Sequence, residues 1–146
     1  RGHLGLAIEM GRPGISTGFR DVQKVAETVA RHGVAFEPKN PVTALMVDRS
    51  RGTINPDVLN ERVLSAIIEF EIPLDRAPAL LADLRKVSLE IDTVFSLDAI
   101  SLLEPDESAP VRDALVREGF APSPNGKHNL GLGKPAYDFL RMETRA

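Results

Sequence analysis

The chain has 146 residues, 42% of them hydrophobic and 27% charged, with a net charge of −3. These figures fit one domain, of a size that buries about 70% of the surface its unfolded chain exposes, so a core can form without metals or crosslinks. There is no cysteine, which excludes disulfides, zinc–thiolate sites and thiol catalysis.

In chain order, LGLAIEM (4–10) reads as a first strand, and GRPGISTG (11–18) as a loop supplied with turn and cap residues. The next segment, FRDVQKVAETVARHG, sets Phe19, Val22, Val25, Ala26 and Val29 at helical spacing, with Thr17 as the expected N-cap and Gly33 as the stop. PVTALMVD (41–48) is apolar on both faces and is expected to be a central strand. Asn55-Pro56-Asp57 has the composition of a short helical turn. In LSAIIEFEI (64–72), Ile68, Phe70 and Ile72 alternate with Glu69 and Glu71, which predicts a strand with one wet face.

DRAPALLADLRKVSLEI (75–91) predicts a second helix, capped by Asp75, that buries Leu80, Leu81, Leu84, Val87 and Ile91. TVFSLDAISLL (93–103) returns to a period of two. The resulting order β-α-β-β-α-β predicts an α+β fold: a ferredoxin-like βαββαβ sandwich over residues 1–103, a four-stranded antiparallel sheet with helices on one face. Residues 104–146 would extend this single domain as helix, hairpin and helix. Ser108 is the expected cap of the first helix, Asn125-Gly126 the hairpin turn, and Pro135 the first turn of the closing helix.

No apolar run nears the roughly 20 residues of a membrane span. The opening RGHLGLAIEM is too polar for a signal-peptide core and lacks an initiating methionine, so removal of residues ahead of Arg1 is expected. A cytoplasmic protein is the expectation. Residues 1–62 carry nine Lys/Arg against seven Asp/Glu, and residues 63–103 three against seven. No segment has the concentrated basic face that a phosphate backbone demands, and one Tyr with no Trp leaves little for bases to stack on. Neither nucleic acid nor membrane is an expected partner.

Two glycine-bearing loops are the candidate ligand sites. NGKHNLGLGKPAY (125–137) offers Lys127, His128 and Lys134 beside an expected helix start, where an anion is favoured. It does not complete a phosphate-loop motif, because Pro135 follows Lys134 and provides neither the hydroxyl nor the N–H that motif needs. GRPGISTG lies between a strand and a helix and presents Arg12, Ser16 and Thr17, again without a phosphate fingerprint. The histidines at 3, 32 and 128 show no metal-ligand spacing, and no cofactor motif is present. Ser96 and Ser101 lack a nucleophile elbow.

These features favour a small non-catalytic binding or protein-interaction module, homodimeric through its open sheet face or an edge strand. Outer-face residues such as Val94 and Ile100 would contribute apolar surface. The alternative is a small enzyme acting on an anionic metabolite, with His128 as acid/base and Arg12, Lys127 and Lys134 holding the anion. That alternative needs the two glycine loops to meet in one cleft.

Overall fold

The computed structural model describes residues 2–12, 14–102, 104–106 and 108–123. Period-two alternation makes residues 3 to 10 strand β1 (His3–Met10), which turns Leu4, Leu6, Ile8 and Met10 into the core. A short β2 (Thr17–Gly18) leads into α1 (Phe19–Ala30), whose buried side is the stripe read from its spacing. Next come β3 (Ala35–Phe36), the single turn α2 (Pro41–Ala44), β4 (Met46–Asp48), β5 (Thr53–Ile54) and β6 (Arg62–Val63). β7 (Ala66–Pro73), α3 (Ala77–Val87), β8 (Phe95–Ile100) and α4 (Pro110–Arg117) complete the described elements.

The main sheet has four strands in the order β3–β7–β1–β8, each antiparallel to its neighbour. Helices α1 and α3 pack on each other and share one buried cluster with one sheet face, including Ile68, Phe70 and Ile72 from β7 and Leu80, Leu81 and Leu84 from α3. The protein is therefore a mixed α+β structure, and its covered face follows from the apolar stripes of the sequence.

Residues 41–48 do not form the central strand expected of them. Asn40 accepts hydrogen bonds from the backbone of Val42 at 2.8 Å and Thr43 at 3.4 Å, and Pro41 follows it as the first helical residue. A capped helical turn thus competes successfully for half of that apolar run. The other half, β4, pairs with β5 in a separate two-stranded ribbon. The strand beside β7 in the main sheet is β3, only two residues long and paired through Ala35–Glu71 and Phe36–Phe70.

Three expected caps also differ. Thr17 lies in β2 opposite Val63, fully buried, and Gly18 occupies the N-cap of α1 with no side-chain bond. Asp75 belongs to a 3-10 turn (Leu74–Arg76), so Arg76 precedes α3; Ala109, not Ser108, precedes α4. Ile91 is half-buried. Asn55 does cap the expected turn at Pro56–Val58, accepting from the Asp57 backbone at 3.0 Å. The hairpin expected at Asn125-Gly126 and the helix expected from Pro135 lie outside the described residues. Among the described residues no helix is long and apolar enough to cross a membrane.

Candidate functional site

The sheet face away from the helices is built in cross-strand rows. In one row Ala35 lies opposite Glu71, Glu71 opposite Gly5, and Gly5 opposite Ile100. In the next row Glu69 lies opposite Ala7, and Ala7 opposite Asp98. Directly opposed residues share a face, so small side chains run down the middle strand with carboxylates beside them. The result is a depression of about 370 Å³ crossing all four strands, floored by Gly5, Ala7 and Ala35 and banked by Glu69, Glu71 and Ile100. A Cβ on Gly5 would come within 2.6 Å of Ile100 Cγ2, so the Ile100 side chain leans over the glycine.

The carboxylates are held in different ways. Asn40, 5% exposed, donates through Nδ2 to Glu69 Oε2 at 2.6 Å while its Oδ1 caps α2. The Glu37 backbone donates to the Glu69 carbonyl at 2.9 Å, extending the edge past β3. Glu71 pairs with His3, and Glu9 on the same face pairs with Arg12 at 3.2 Å. Glu69 thus has a neutral amide as its partner where the other two have cationic or ionisable ones.

The polar groups of the described loop residues between 11 and 18 are taken up by the loop and by the segments beside it. The Gly11 N–H donates to the Val94 carbonyl at 2.8 Å, and the N–H groups of Ile15 and Ser16 donate to the Gly11 carbonyl. Ser16 sits at φ +73°, its hydroxyl accepting from Arg62 at 3.0 Å and its carbonyl accepting from Thr93 at 2.7 Å. Thr17 is buried, with its hydroxyl donating to the Gly18 carbonyl at 3.5 Å. Arg12 is exposed and turned to Glu9. Of the sequence candidates, Arg12, Ser16 and Thr17 are therefore neighbours whose polar atoms are engaged locally. Lys127, His128 and Lys134 lie outside the described residues.

His32 Nε2 lies 3.0 Å from Asp83 Oδ2, tying the end of α1 to α3, and Lys86 donates to the same carboxylate at 2.8 Å. Among the described residues no group of three or more His, Asp or Glu could hold a metal. A second depression, about 310 Å³, lies between α3 and β8. Arg85 roofs one end of it, 4.5 Å over the Phe120 ring and donating to the Gly119 carbonyl at 2.8 Å, which fastens the turn after α4 to α3.

Sequence reasoning found Glu69 and Glu71 but missed Asn40, Gly5 and Ala7. The Asn40-Pro41 pair is a legible cap signal, and Gly5 and Ala7 mark a shallow face within an apolar alternation. Comparison with known proteins returned no matching family model, no matching curated protein and no matching solved structure.

Proposed function

We propose that this chain is a small non-catalytic binding and protein-interaction module on a ferredoxin-like βαββαβ sandwich, homodimeric through its open sheet face or an edge strand. The order β3–β7–β1–β8, antiparallel throughout, supports the sandwich reading, because it sets the first strand between the third and the last of the four sheet strands. α1 falls in the first crossover and α3 in the second.

The observation that carries the functional reading is the four-strand depression on the face opposite the helices, with carboxylates along its bank. Of the two self-association surfaces, the edge is favoured. A two-fold dimer sets one patch against itself, and the open face would then oppose Glu9, Glu69 and Glu71 to their own copies. The β8 edge instead has an exposed apolar residue, Leu102 (69%), just beyond the strand, next to Ile100 (73%) at the border of the open face. Sedimentation velocity on the full chain at high micromolar concentration is expected to give a dimer. A monomer at that concentration would remove the homodimer from this reading.

A further inference from the structure

We infer that the open sheet face docks a polypeptide segment bearing lysine or arginine, the aliphatic stem of one such residue lying over Gly5 and Ala7 and its cationic head between Glu69 and Glu71. The inference rests on the reading of this face as an interaction surface, and not on the chain being a dimer.

Three observations select that occupant. The first is shape. Gly5 and Ala7 leave a trough along β1, walled by Ile100 on one side and by β7 on the other. A trough of small residues accepts a linear alkyl chain, which is how lysine and arginine lay apolar stems on a surface while their charge stays at its rim.

The second is charge. Glu69 and Glu71 project on one face of β7 two residues apart, which separates their positions by roughly 6–7 Å. A cation between them is within reach of both, sharing Glu71 with His3, with Glu37 at the rim beyond. An anionic ligand meets repulsion on this surface, and so does an identical copy of it.

The third is the state of Glu69. The buried amide of Asn40 fixes Oε2, while Oε1 accepts no hydrogen bond from any described residue. The carboxylate is oriented before binding, which lowers the ordering cost of a partner. The same bond satisfies the buried Asn40 amide, whose other atom caps α2, and a glutamine at 69 keeps an oxygen that can accept it.

The test uses the full chain and fluorescein-labelled peptides read by anisotropy, one alternating lysine with alanine and one alternating glutamate with alanine. The lysine peptide is expected to saturate at low salt and to weaken about tenfold or more when salt is raised tenfold, while the glutamate peptide does not bind. The Glu69→Gln/Glu71→Gln variant should weaken binding about tenfold with an unchanged melting temperature. Ala7→Leu, which fills the trough without altering charge, should weaken it comparably. No saturable binding of the lysine peptide, or binding indifferent to both variants, overturns the inference. So does binding that emerges only when Lys127, Lys134, Arg141 and Arg145 are all changed to glutamine, since the occupant is then the chain's own segment. Loss of a dimer in the Glu69→Gln/Glu71→Gln variant gives the face to a second copy and overturns it as well. A dimer that binds no peptide sinks this inference alone, and a monomer that binds it sinks only the homodimer.

Discussion

On β1, Leu4, Leu6, Ile8 and Met10 go under the helices, while Gly5, Ala7 and Glu9, each one residue along, stay on the opposite face. β7 divides the same way, into Ile68, Phe70 and Ile72 against Glu69 and Glu71. The two faces share one backbone and one set of ladder hydrogen bonds, so they differ only in side chains. The covered face has bulk and no charge; the other carries the carboxylates and the small residues of β1, with bulk at Ile67 and Ile100. Stability is therefore concentrated on one side, and the opposite side is free to carry binding chemistry at small cost to the fold.

The largest expected effect tests that division directly. Leu84, 2% exposed on α3, lies within the stripe of Leu80, Leu81 and Val87, where a cavity cannot easily collapse. Leu84→Ala should cost about 2–5 kcal/mol by chemical denaturation. Ile100→Ala, also the truncation of a branched aliphatic residue but on the open face, should stay within about 0.5 kcal/mol. Equal losses at the two positions would mean that the open face also contributes to the core.

A second, smaller effect probes how deep the covered side is. The β4–β5 ribbon lies over α1: the Ile54 N–H donates to Gln23 Oε1 at 3.0 Å, and Ile54 is fully buried. Gly52 makes that approach possible. Its φ is +72°, and a Cβ there would press on the Ala26 carbonyl of α1. Gly52→Ala should cost about 1–3 kcal/mol, from a strained backbone together with displacement of the ribbon. A melting temperature equal to wild type would show that the ribbon is dispensable to the covered side.

The sequence disclosed most where one period persists over many residues. The stripes of α1 and α3 and the alternation of β1 and β7 are long enough for helix and strand spacing to be distinguished. It disclosed least where an element is short. β3 has two residues, too few to show any period, and the apolar run after Asn40 has the composition of a strand although its cap and proline favour a turn. Thr17 and Asp75 each suit a cap chemically, yet neighbouring residues hold those positions because strand pairing or a 3-10 turn fixes the chain just ahead of the helix, and Ala109 takes the place expected of Ser108. The candidate face was half legible. Glu69 and Glu71 were visible as a wet face, but their trough depends on register, which brings Gly5 opposite Glu71 and Ala7 opposite Glu69, and no single strand contains that information.

The smallest expected effect concerns the solvent-exposed side of the helices, where charge meets the covered half of the molecule. The hydrogen bond from Lys86, and after it the one from His32, holds the Asp83 carboxyl below its ordinary value of 3.8. The folded pKa is therefore the lower one, so on acidification the unfolded chain takes up its proton first. The stability this group supplies is fully present above the unfolded value, near pH 4, and is lost as pH falls through the depressed folded value. The group is partly exposed, and salt screens its interactions, so the contribution is modest. Wild type and Asp83→Asn should accordingly differ by a small amount at about pH 5, with the difference shrinking below about pH 4. The carboxyls of Asp48 and Asp106 are also depressed, by hydrogen bonds from Ser50 and Ser108, but they titrate alike in both proteins and cancel from the comparison. Denaturation midpoints across that range decide the matter: a difference that stays flat into strong acid would show that the link between α1 and α3 does not depend on the charge of Asp83.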